Sequence, residues 1–101
     1  MLAINENETF VLGENIFLQK ISELKKYWVF KIDTGEHYSL NETSYWILEQ
    51  IAKNLTIRNI FMNFLGNFHV DENQGRDDFN EIINSFLSEE IIKRREEDGK
   101  G

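Results

Sequence analysis

The chain has 101 residues, 41% hydrophobic and 13% aromatic, enough for one domain with an ordinary core and too apolar for intrinsic disorder. It holds no cysteine, which excludes disulfides, thiolate nucleophiles and cysteine-ligated metal or iron–sulfur centres. Lys and Arg total 11 against 18 Asp and Glu, a formal charge of −7 that opposes nucleic-acid phosphates and anionic membrane surfaces.

Met1–Gly13 carries Glu6 and Glu8 where a signal peptide has basic residues and then an apolar run. No apolar stretch approaches the ~20 residues of a membrane span. The expectation is a cytoplasmic protein without membrane association, in which the sequons at Asn7, Asn41 and Asn54 arise by chance.

Residues 10–40 alternate as strands do. Ile16 and Leu18 fall opposite Phe17 and Ile21 on a first strand, and Leu24-Lys25-Lys26 turns the chain. Tyr27–Ile32 is the clearest strand, with Trp28, Phe30 and Ile32 on one face and Tyr27, Val29 and Lys31 on the other. Asp33-Thr34-Gly35 makes a hairpin loop with glycine free to take a positive φ, and Glu36–Leu40 follows as a third strand.

From Asn41 the period is helical. Asn41 is a good N-cap, and Ile47, Leu48, Ile51, Ala52 and Leu55 form one stripe. Thr56 caps a second helix carrying Ile57, Ile60, Phe61, Phe64, Leu65 and Phe68, whose end Gly66 and Asn67 weaken. Asp71–Gly75 reads as a polar loop. A third helix carries Phe79, Ile82, Ile83, Phe86, Leu87 and Ile91 and frays into Lys93-Arg94-Arg95. The expected fold is α+β: a three-stranded antiparallel meander followed by a three-helix bundle, winged-helix-like, with the helices covering the sheet. One domain spans residues 1–95, and 96–101 form a polar, flexible tail.

Catalysis has no visible machinery. His37 and His69 lie outside any nucleophile turn or metal-ligand spacing, and no glycine cluster precedes a helix to hold phosphate. Asp71–Gly75 mimics the start of a calcium loop but puts Arg76 where glycine is needed and Ile82 where a bidentate glutamate is needed. No enzyme activity, metal or cofactor is expected. A winged-helix DNA-binding regulator is the alternative, and its charge footprint is weak. The third helix shows Asp77, Asp78, Glu81, Glu89 and Glu90, and the second exposes Arg58, Asn59, Met62, Asn63 and Asn67. Peptide binding needs only a free strand edge beside a helix. The third strand has such an edge, with Phe79, Ile83 and Phe86 as candidate side-chain contacts. Periodicity alone favours core for these three.

Leu40-Asn41-Glu42-Thr43, followed by Trp46-Ile47-Leu48 and Ile51, resembles the Leu-Asn-x-Thr turn and aromatic-bearing helix of the PqqD-like family (coenzyme PQQ synthesis protein D-like). Thr56, Ile57 and Ile60 match its second helix start, although Ala52-Lys53 stands where the family has Asp-Gly. Phe68-His69-Val70-Asp71 resembles the exit from that helix. Phe79–Ile92 resembles the closing helix, with Glu90 at a customary glycine. The resemblance covers about residues 10–95 and rests on short, degenerate motifs in the right order.

It implies a recognition element for ribosomally made, post-translationally modified peptides. Such proteins hold a precursor's leader segment as an added strand on the third strand, against the third helix. They present it to a modifying enzyme such as a radical SAM protein or a leader peptidase. Carried to this chain, the peptide-binding residues are Glu36, His37, Tyr38, Ser39 and Leu40 on the strand and Phe79, Ile82, Ile83 and Phe86 on the helix. The partners are the precursor peptide and the modifying enzyme, with no nucleic acid and no membrane. The negative charge favours basic residues in the leader or the enzyme, and a free strand edge is also able to pair with a second copy.

Overall fold

The structure, a computed structural model, describes residues 7–95; the tail expected over 96–101 lies outside the described residues. Alternation in the first half becomes three strands, β1 (Phe10–Leu12), β2 (Ile16–Ile21) and β3 (Lys26–Lys31), and then β4 (His37–Leu40). β2, β3 and β4 form the antiparallel meander that the pattern anticipates. A 3-10 turn at Ser22–Leu24 joins β2 to β3, and Lys25 closes it at φ 55°. Between β3 and β4 the loop turns on Gly35 at φ 79°, whose amide donates to the Lys31 carbonyl at 2.8 Å.

Alternation reveals two faces of β3 without saying which is inner. Val29 is fully buried, and Leu18, Tyr38 and Leu40 pack on the core beside it. Tyr27 leans on Tyr45 of the first helix with ring centroids 5.1 Å apart. The bulkier set faces out, so that Phe17 is 52% and Ile32 65% exposed.

The helices are α1 (Glu42–Ala52), α2 (Ile57–Phe68) and α3 (Glu72–Ser88). Asn41 caps α1 by accepting from the Ser44 amide at 2.8 Å, and Thr56 caps α2 by accepting from Asn59 at 3.2 Å. α2 runs through Gly66 and Asn67 to Phe68. The turn between α1 and α2 lacks the family's Asp-Gly and is carried by Asn54 at φ 66°, a residue that tolerates the left-handed region.

Two expectations for the third helix are corrected. Asp71–Gly75 is not a loop: Asp71 caps α3 through bonds from Asn73 and Gln74, and Glu72 pairs with Arg76 one turn on at 3.2 Å. Gly75 is buried there, where a Cβ would lie 2.7 Å from Leu65 Cδ2 and 3.0 Å from Val70 Cγ2. The basic end is not a frayed helix either. α3 stops at Ser88 in a Schellman motif, with the Glu90 amide on the Leu87 carbonyl (3.1 Å) and the Ile91 amide on Phe86 (2.9 Å). Glu90 takes φ 63° at the position where the family customarily has glycine.

The chain then forms β5 (Ile92–Arg94), antiparallel to β1 with Phe10 opposite Arg94 and Leu12 opposite Ile92. Arg94 bonds to Glu8 at 2.7 Å and Lys93 reaches Glu14 at 3.5 Å, so these cations belong to a two-stranded tie between the ends of the domain. The core lies between the meander, this tie and the helices. Phe10, Val29, Ile47, Leu48, Ile60, Phe79, Ile83 and Ile92 are among its buried members. No described polar or charged residue is fully buried.

Candidate functional site

β4 is an edge strand, hydrogen-bonded to β3 alone. The phase of its main chain follows from one bond: the Lys31 amide donates to the Glu36 carbonyl at 2.8 Å. In an antiparallel ladder the residues facing the partner alternate. Glu36, Tyr38 and Leu40 therefore point their main-chain groups at β3, and His37 and Ser39 point theirs away from the sheet. These N–H and C=O groups are the free backbone valences of the edge.

α3 stands beside that edge and runs against it. At one end Asn41 and Thr43, just past β4, share a cleft of about 320 Å³ with Phe64, Phe68, Val70, Asp78, Glu81 and Ile82. Midway, Tyr38 lies within electrostatic reach of Glu89 at the end of α3. At the other end a cleft of about 600 Å³, shared with the β1–β2 connection at residues 13–16 and with β5, joins Lys31, Asp33 and Thr34 of the β3–β4 hairpin to Leu87, Glu90 and Lys93. The strip between β4 and α3 that joins these clefts, the channel, is bordered by unpaired backbone on one side and by the helix on the other.

Glu36 is exposed and lies one residue before β4. Its carboxylate accepts from the Tyr38 hydroxyl at 3.3 Å and sits 3.8 Å from Lys31 Nζ. Partial burial, and then the Glu36 carboxylate, raise the Tyr38 pKa above its ordinary value. The side chains of Tyr38 and Leu40 turn inward, and those of His37 and Ser39 turn outward.

On α3 the four residues expected to face a peptide separate. Phe79, Ile83 and Phe86 are core, at 1%, 0% and 5% exposure, with the Phe79 ring tilted against those of Phe61 and Phe64. Their side chains pack in the core rather than facing the channel, as the stripe alone favours. Ile82 alone of the four keeps surface open to the channel. Asn41, Thr43, Val70, Asp78 and Glu81 join it and were not anticipated. A helical signal existed. It was a weak one: Phe79, Ile83 and Phe86 repeat at i, i+4 and i+7 as a core stripe does, and Phe79, Ile82 and Phe86 repeat at i, i+3 and i+7, so only Asp78 and Ser85 beside Ile82 mark it as the border of the stripe.

The channel's rim is acidic. Asp78, Glu81, Glu89 and Glu90 lie along it, Glu36 joins them through its bond from Tyr38, and Lys31 and Lys93 stand at its far end. Chemically, such a strip offers main-chain donors and acceptors to an extended chain and a negative potential to cations. Among the described residues no helix is long and apolar enough to cross a membrane, and no three His, Cys, Asp or Glu side chains converge as a metal site.

A fold with an open third meander strand beside its last helix is the frame onto which the sequence motifs map. The family profile described as coenzyme PQQ synthesis protein D (PqqD) matches residues 27–92, from β3 to the start of β5. The chain belongs to the PqqD family. Two solved structures share its fold. One is TbiB1 in complex with the TbiA(beta) leader peptide, at TM-score 0.74 and 11% identity, covering 86% of this chain and 99% of that one. The other is lasso peptide synthetase B1 complexed with the leader peptide, at TM-score 0.71 and 14% identity, covering 82% and 95%. No curated protein matches the chain.

Proposed function

We propose that this chain is a non-catalytic binding module that captures the leader segment of a ribosomally synthesised precursor peptide. The leader adds as a strand to β4, against α3, and is presented there to a modifying enzyme, a radical SAM maturase or a leader peptidase. The observation that carries this reading is the pair of unpaired backbone positions, His37 and Ser39, on an edge beside α3 and its cleft at Ile82. Membership of the PqqD family supports it, as do two fold relatives each in complex with a leader peptide.

In this mechanism the edge supplies affinity that is nearly independent of sequence, through main-chain bonds worth roughly 0.5–1.5 kcal/mol each. Choice of leader comes from side chains. Inward-facing leader residues meet the cleft around Ile82, Val70 and Phe68, and cationic ones meet Asp78 and Glu81. Attraction to the acidic rim speeds encounter and weakens as salt rises.

The test is an amide-shift NMR titration with leader peptides encoded by small open reading frames beside the gene, with a DNA duplex run in parallel. Saturable shifts at residues 36–40 and along the Asp78–Ile82–Glu89 side of α3, with none from DNA, are expected. Salt-sensitive shifts from DNA alone would make the chain a winged-helix regulator and overturn the reading.

A further inference from the structure

The outer face of the meander carries an aromatic row that the channel does not use. Phe17 on β2 lies opposite Phe30 on β3, and Phe30 lies opposite His37 on β4. The Phe17 and Phe30 ring centroids are 6.3 Å apart. His37 stacks on Phe30 at 5.6 Å with an interplanar angle of 27°. Beside the row is a hollow of about 220 Å³ floored by Phe17, Phe30 and Ile32. The parallel row, Gln19–Trp28–Ser39, ends on a small polar residue instead.

The aromatic row ends at the edge, on a residue whose main chain points away from the sheet. That coincidence has a geometric consequence. Directly opposed residues of neighbouring strands project to the same face. A residue pairing with His37 on an added strand would stand next in line after Phe17, Phe30 and His37.

We propose that the leader is read on this outer face as well as in the channel. Its residue opposite His37 is aromatic or large and aliphatic and packs as the fourth member of the row. This rests on strand addition to β4. The side chain two positions along the leader meets Ser39 and is little selected. Specificity therefore resides in one outward position and in the inward positions that flank it. A stacked or edge-on aromatic neighbour is worth about three- to tenfold in affinity.

A randomised peptide library displayed on phage is selected against the full chain. Binders are placed in register by NOEs from the peptide backbone to His37 and Ser39. Enrichment of aromatic or large aliphatic residues opposite His37, and of none opposite Ser39, is expected. A double-mutant cycle then pairs peptide aromatic→Ser with His37→Ser. The peptide change should cost about three- to tenfold on the native protein and much less on His37→Ser. Edge-bound peptides without that enrichment, or equal losses on both proteins, would overturn the outward subsite and leave the proposed function standing. Peptides that shift Phe17 and Phe30 without NOEs to the β4 edge would make the row a separate protein-docking surface, also against the proposal. If no peptide binds β4, the proposed function fails and this inference fails with it.

Discussion

The two edges of the three-stranded sheet carry the same backbone chemistry in different surroundings. On β4 the free main-chain groups belong to His37 and Ser39. By the same alternation on β2 they belong to Leu18 and Lys20, because Phe17 and Gln19 pair with Phe30 and Trp28. The β2 edge holds an inward charge. Lys20 reaches Glu49 of α1 at 3.1 Å and lies over the Tyr45 ring at 5.8 Å. An inward-pointing lysine on an edge strand discourages strand addition. The β4 edge instead faces α3 and the cleft at Ile82. A free edge becomes a selective peptide site when a second wall supplies side-chain contact. This molecule has that wall on one side.

The largest expected effect separates two adjacent helix positions. Ile83→Asp places an unpaired carboxylate at a fully buried site and should cost more than about 4 kcal/mol, visible as lost cooperative unfolding in denaturant. A folded, peptide-binding Ile83→Asp protein would mean that α3 is rotated from the arrangement described. Ser39→Pro removes a donor on the β4 edge and puts a ring into the channel, so calorimetry should find leader affinity down at least about tenfold. Lys20→Pro makes the equivalent change on β2 and should leave affinity unaltered.

Ile82→Ala sharpens the role of the second wall. Losing a half-buried isoleucine from the cleft should weaken the leader by about five- to thirtyfold while the protein stays folded. The smallest effect is on stability. Glu90 occupies the left-handed position of the Schellman motif at φ 63°, so Glu90→Gly should stabilise by about 1 kcal/mol and raise Tm by roughly 4–8 °C without altering the β4 edge.

Much of the frame was legible before the structure. α1 and α2 carry long apolar stripes and good caps at Asn41 and Thr56, and Tyr27–Ile32 alternates cleanly. β1 and β5 were not legible as a pair. Each has three residues, too few for a period, and their partners lie at opposite ends of the chain. The first turns of α3 were hidden because Glu72–Asp78 has no apolar residue; capping by Asp71 and the close approach at Gly75 hold them. The inner face of β3 was undetermined because Trp28, Phe30 and Ile32 are bulkier than the residues that are buried, so side-chain size pointed the wrong way. At the candidate site the edge could be read from the meander. The division of α3 into core residues Phe79, Ile83 and Phe86 and the channel residue Ile82 required the helix's position against α2.

If a leader peptide adds to β4 and not to β2, residue-resolved amide hydrogen exchange on the full chain, with and without saturating leader peptide, separates the two edges. The peptide should slow exchange at His37 and Ser39 and leave Leu18 and Lys20 as they were. Protection at Leu18 and Lys20, or binding that protects neither edge, would contradict the account.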